Sequence, residues 1–85
     1  MVDLEFFYLK TDSKCKLLAN FLEKNSIPFV IRDVATDFDA QWDALLFRIY
    51  STPALKMGKS VLRCRDIFEK IDLREEMIMK FVNDR

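Results

Sequence analysis

Histidine is absent from this 85-residue chain, glycine occurs once, proline twice and cysteine twice, and 14 Lys and Arg balance 14 Asp and Glu. Each shortage excludes something. With no histidine and two cysteines 49 positions apart, a zinc site would have to be built mostly from carboxylates, so no metal is expected. A formal net charge of zero argues against a protein whose main task is to grip nucleic acid or an anionic membrane. No apolar run approaches the roughly 18 residues needed to span a bilayer. No basic segment precedes an apolar stretch at the N-terminus, so no signal peptide is expected either. The cytoplasm is therefore the default location, with both thiols reduced.

What is present is the composition of a folded globular domain: 51% hydrophobic and 33% charged residues. The length fits one domain, residues 1–85, with a modest core. No linker, repeat or low-complexity stretch divides it. Residues 3–9 read as a strand. Leu4, Phe6 and Tyr8 share one face while Phe7 and Leu9 make the other apolar, the mark of a central strand covered on both sides. Residues 13–25 read as a helix, with Cys15, Leu18, Ala19 and Leu22 on one stripe and Asp12 or Ser13 as its cap. Asn25-Ser26 ends it, and Ile27-Pro28 leads into a strand from Phe29 to Asp33.

Thr36-Asp37-Phe38-Asp39 has the capping oxygen and first-turn acids of a helix start. The pattern carries that helix to about Ile49, with Phe38, Trp42, Leu45 and Ile49 as its buried stripe. Phe47, off that stripe, is the candidate for a partner surface. Ala54-Leu55-Lys56 and Ser60-Val61-Leu62 flank Met57-Gly58-Lys59, a β-hairpin with the only glycine in its turn. A last helical region spans roughly 65–83. The capping-box pattern Asp72-Leu73-Arg74-Glu75 places a break near Asp72, giving a short helix and then a longer one. The order is β-α-β-α-β-β-α. The first two strands, joined by a helix, should be parallel. The whole is an α/β domain, an α+β sandwich with a mixed four-stranded sheet and helices on both faces.

Three anchors give this chain a family likeness. A strand and short loop lead to Cys15 at a helix start. The helix ends in Asn25-Ser26-Ile27-Pro28-Phe29, like a Lys-Gly-Ile-Pro-Phe segment. Thr52-Pro53-Ala54-Leu55 is followed by Gly58 and Val61-Leu62. Together they resemble the glutaredoxin branch of the thioredoxin-fold superfamily, and the last is also similar to a stretch of the glutathione transferase N-terminal domain. The resemblance covers nearly the whole chain. It implies that Pro53 is a cis-proline whose backbone faces the helix N-terminus and binds an extended thiol peptide. It places Cys15 at the second cysteine of the family's Cys-x-x-Cys, with Asp12 where the nucleophilic cysteine belongs. Ordinary dithiol exchange is thereby put in doubt. Cys64-Arg65 stands where glutathione transferases carry the Glu/Gln-Ser pair that holds the γ-glutamyl group, so that contact is not reproduced.

Two readings of the chemistry stay open. In one, a single cysteine, Cys15 or Cys64, is the catalytic thiol of a glutathione- or thiol-linked oxidoreductase. It would be aided by flanking lysines and a helix N-terminus and opposed by the charge of Asp12. In the other, Cys15 is a small core residue on the Leu18/Leu22 stripe, Asp12 is only a cap, and the chain is a non-catalytic module that holds a peptide or protein at the Pro53 groove. A Cys15–Cys64 disulfide is conceivable if the two meet. Lys10, Lys56, Lys59, Arg63 and Arg65 form either a collar for an anionic ligand such as glutathione or a solvated edge that discourages strand pairing. The substrate-binding candidates are Lys10, Asp12, Thr52, Pro53 and Arg65. The partner is a thiol-containing peptide or protein, with glutathione the one small cofactor the resemblance offers.

Overall fold

In the computed structural model, which describes residues 3–83, four strands form one mixed sheet in the order β2-β1-β3-β4. The elements run β1 (Leu4–Tyr8), α1 (Ser13–Lys24), β2 (Val30–Asp33), α2 (Phe38–Leu46), β3 (Ala54–Met57), β4 (Ser60–Leu62), α3 (Cys64–Ile67), β5 (Phe68–Glu69), β6 (Asp72–Leu73) and α4 (Glu75–Asn83). β1 pairs parallel with β2 and antiparallel with β3, and β3 pairs antiparallel with β4. The expected central position of β1 is met: Phe6 and Phe7, which point to opposite faces, are both fully buried.

The sheet therefore has two cores. On one face Leu4, Phe6 and Leu55 meet Cys15, Leu18 and Leu22 of α1 and Ile78 and Val82 of α4. On the other, Phe7 and Ala54 meet Ala44 of α2 and Ile49. The second core is small because α2 turns alanines inward: Ala40 and Ala44 are its buried residues. This reverses the expected stripe. Phe38, Trp42 and Leu45 face outward, and only Ile49, just beyond the helix, is buried as expected. Phe47, the expected surface residue, instead packs half-buried against the second core.

Helix boundaries follow local chemistry. The Asp12 carboxylate accepts the Lys14 N–H at 2.9 Å at the start of α1. Asp37 accepts the Asp39 and Ala40 N–H groups at 3.0 and 3.3 Å at the start of α2. Both helices end in the same motif. Ser26 and Arg48, at φ 55°, donate to Glu23 and Leu45, while Ile27 and Ile49 donate back to Leu22 and Ala44. These are Schellman ends whose left-handed position usually belongs to glycine. A chain with one glycine places it at Gly58 (φ 62°), in the β3–β4 turn.

The break near Asp72 is present, but its form differs from the expectation. Phe68 pairs with Leu73 and Glu69 with Asp72, so a two-stranded ribbon separates the short α3 from α4. Asp72 lies in a strand, and α4 begins at Glu75, beyond the reach of a cap at Asp72. Among the described residues no helix is long and apolar enough to cross a membrane.

Candidate functional site

Three of the residues singled out in the sequence converge at the ends of β1 and β3. Asp12 caps α1 through Oδ1. Its other oxygen, Oδ2, accepts the Thr52 hydroxyl at 2.9 Å across 40 positions of chain. Thr52 is joined to Pro53 by a cis peptide bond, and Pro53 is fully buried at the entry to β3.

Cys15 lies under this pair. Its side chain is fully buried in the first core, and its Sγ accepts the Leu9 N–H at 3.4 Å. Burial pushes the thiol above its ordinary range. The Leu9 N–H and the Thr52 hydroxyl pull the other way without prevailing, and the negative charge of Asp12 adds to the rise. Desolvation thus sets the direction of the shift. Cys15 is not the accessible, acidified thiol that nucleophilic exchange calls for.

Cys64 is different. It is the first residue of α3, half-buried, and a free thiol like Cys15. It lines an open cleft of about 360 Å3 with Tyr50, Ser51, Arg63 and Arg65. Ser51 carries this cleft to the Thr52–Pro53 bond. Arg65 is exposed at its rim. Arg63 is committed elsewhere. Its guanidinium donates to the Arg48 carbonyl and, at 2.9 Å, to the Phe47 carbonyl. A cation on the terminal carbonyls of a helix is favourable, and here it also fixes the turn that leads to Thr52.

The wider basic collar does not assemble. Lys56 is buried, its Nζ 2.9 Å from Glu5 Oε2 and 4.5 Å from the centre of the Phe47 ring. Strand pairing causes this: Glu5 and Lys56 are register partners on the face that α2 covers. Lys59 sits in the turn at the end of β3 remote from Pro53. Lys10 is exposed in the β1–α1 turn. Of the five cations, Arg65 and the constrained Arg63 line the cleft. Among the described residues no group of three or more Cys, Asp or Glu side chains is arranged to hold a metal ion.

Sequence reasoning missed the role of Arg63 and the ion network below α2. Arg32 donates to Glu5 and, at 2.8 Å, to Asp43, so Glu5 bridges two cations. No local spacing announces either arrangement, because the partners lie 11 to 51 positions apart.

No family profile matches the sequence, and no curated protein matches it. Its fold does have solved counterparts. A single-substitution mutant of the thioredoxin-like protein BC3987 superposes with a TM-score of 0.78 at 21% identity, covering 100% of both chains. The thioredoxin-like protein BC3987 itself gives a TM-score of 0.72 at 20% identity, covering 91% of this chain and 96% of the other. At such identities the likeness establishes architecture alone. With the sheet order, the parallel β1-α1-β2 unit and the cis-proline at the entry to β3, it makes this chain a protein of the thioredoxin-like fold.

Proposed function

We propose that this chain is a non-catalytic thioredoxin-fold binding module that holds an extended segment of a protein partner along the Thr52–Pro53 edge. The burial of Cys15 carries the reading: the thiol at the start of α1 is a core residue with its affinity for a proton raised. Asp12 supports it. At the position where the resemblance calls for a nucleophile stands a carboxylate already engaged by the Lys14 N–H and the Thr52 hydroxyl. The cleft beside Ser51 offers the partner an aromatic wall at Tyr50 and a cation at Arg65, which favours a segment carrying an acidic residue.

A second reading rests on Cys64, the one half-exposed thiol, which lines the same cleft between two arginines. Its thiolate would attack one sulfur of glutathione disulfide, forming a Cys64–glutathione mixed disulfide and releasing one glutathione thiolate. A second glutathione thiol would then reform the disulfide and free Cys64.

Alkylation of each cysteine against pH on the native protein, followed by mass spectrometry, separates the two. The binding-module reading expects Cys15 to stay unmodified until unfolding, Cys64 to react no faster than a simple thiol, and glutathione disulfide exchange at the rate of a simple thiol. Peptides selected from a random linear library should then lose binding to the Arg65→Glu variant. Fast exchange that disappears in Cys64→Ser would replace this reading with the redox one.

A further inference from the structure

We propose that the outer face of α2 pairs with the same face of a second copy of this chain, the two helices running antiparallel about a two-fold axis at Trp42. The helix is apolar on both sides. Ala40 and Ala44 fill the second core, while Phe38, Trp42, Leu45 and Leu46 point outward with exposures of 81%, 61%, 64% and 62%. At 100° per residue these four lie on one stripe, at i, i+4, i+7 and i+8. A single domain normally buries the large side chains of such a helix and leaves its polar face to water. Here the large residues are outside.

Area argues for an occupant of modest size. Taking aromatic side chains at about 150–250 Å2 each and leucine somewhat less, the four expose on the order of 500 Å2. That is at the upper end of the largest apolar patch on a typical monomer, about 300–600 Å2. Self-pairing would bury about 1,000 Å2 in total, the lower bound for a specific interface.

The stripe is also self-complementary. With a rise of about 1.5 Å per residue, Phe38 lies about 6 Å before Trp42 and Leu45 and Leu46 lie about 5–6 Å after it. A two-fold axis at Trp42 therefore sets Phe38 of each copy against Leu45 and Leu46 of the other, an isologous contact in which every large side chain meets another. The four stripe residues are uncharged, the chain has a formal net charge of zero, and of the acids on α2 Asp43 is neutralised by Arg32, which leaves Asp39 at the edge of the stripe. An interface this small fits a dissociation constant in the micromolar range.

The test is sedimentation of the full chain over a concentration series, read together with emission from Trp42, the only tryptophan. The expected result is a concentration-dependent rise from the mass of one copy to that of two. Trp42 emission should move to shorter wavelength over the same range. Trp42→Asp should weaken the association about thirtyfold or more, as for a central aromatic anchor, with the far-ultraviolet spectrum and thermal melt retained because the side chain is outside the core. Register has its own test. Phe38→Lys and Leu45→Glu should each abolish pairing alone, while an equimolar mixture of the two should form a heterodimer, because position 38 of one copy meets position 45 of the other. A monomer up to several hundred micromolar would overturn the proposal, leaving the face to a different partner. So would association that survives Trp42→Asp, or a mixture that fails to pair. The readout is mass and not thiol chemistry, so it stands or falls apart from the reading of the Pro53 edge.

Discussion

Thr52 donates its hydroxyl to Asp12 at 2.9 Å, tying the residue before the cis-proline to the cap of α1 across 40 positions. The two oxygens of Asp12 do separate work, one on the Lys14 N–H and one on Thr52. Asp12→Ala should therefore lose both a cap and a tertiary hydrogen bond, about 2 kcal/mol together. Asp12→Asn keeps a capping oxygen and should cost much less. Thr52→Val, close to isosteric, should cost about 1 kcal/mol. In a double-mutant cycle by chemical denaturation the pair should show a coupling of about 1 kcal/mol. Strict additivity would mean that the bond contributes nothing in solution.

Cys15 gives the fold a pH dependence whose sign is fixed. Burial holds its thiol protonated to higher pH in the folded chain than in the unfolded one. Below the unfolded pKa, near 8.5, both states carry the proton and the contribution is complete. Above it the unfolded thiol ionises while the buried one does not, so the unfolded state binds fewer protons and stability falls until the folded pKa is passed. Urea midpoints measured from pH 7 to pH 10 should decline, and Cys15→Ala should flatten that part of the decline while lowering the whole curve for its lost packing. An unchanged slope in Cys15→Ala would show that other groups set it.

Much of the fold was legible because local pattern and tertiary packing agree. β1 alternates two apolar faces and is central, and Asp12 and Asp37 cap the helices they precede. The outward turn of α2 was not legible. Its nine residues hold Phe38, Trp42, Leu45 and Leu46 on one side and Ala40 and Ala44 on the other, and hydrophobicity alone points the larger residues inward. Packing decided otherwise: with Phe7, Ile49 and Ala54 already in place, the gap beneath α2 takes alanine. The β5–β6 ribbon escaped notice because two-residue strands leave no periodicity. In the site, the approach of the Pro53 segment to the start of α1 followed from the family likeness, while the bond from Thr52 to Asp12 did not. The withdrawal of Lys56 into a pair with Glu5 follows only from strand register, which the sequence does not print.

Backbone strain at one helix end offers a stabilising change. Ser26 occupies the left-handed position that ends α1, at φ 55°, where a side chain costs energy that glycine avoids. It is exposed, so no packing is lost with its hydroxymethyl group. Ser26→Gly should raise stability by about 0.5–1 kcal/mol, the strain relieved less the added freedom of the unfolded chain. The mirror experiment is Gly58→Ala. A Cβ there meets nothing within 4 Å, so its cost, about 1 kcal/mol, should come from φ 62° alone. Thermal melts of the two variants should move in opposite directions.

The ion network under α2 should respond unequally to the loss of its members. Glu5 holds both Arg32 and Lys56, whereas Asp43 holds Arg32 alone. The Lys56 side chain is 11% exposed and Arg32 15%, so removing Glu5 strands the Lys56 ammonium and leaves Arg32 held by Asp43 alone. Burial alone would pull the Arg32 guanidinium toward losing its proton, but Asp43 and Glu5 together outweigh it and hold the charge more firmly. Glu5→Gln should cost about 2–3 kcal/mol and Asp43→Asn about 1 kcal/mol or less, since Asp43 is the more exposed acid. Lys56→Met in the Glu5→Gln background should recover part of the loss. It replaces a stranded ammonium by an apolar chain of similar length against the Phe47 ring, which lies 4.5 Å from Nζ in the parent. Urea unfolding of the two single variants and the double variant decides the matter. Equal losses for Glu5→Gln and Asp43→Asn, or a double variant no more stable than Glu5→Gln, would mean that solvent screens this cluster and that burial leaves no charge stranded.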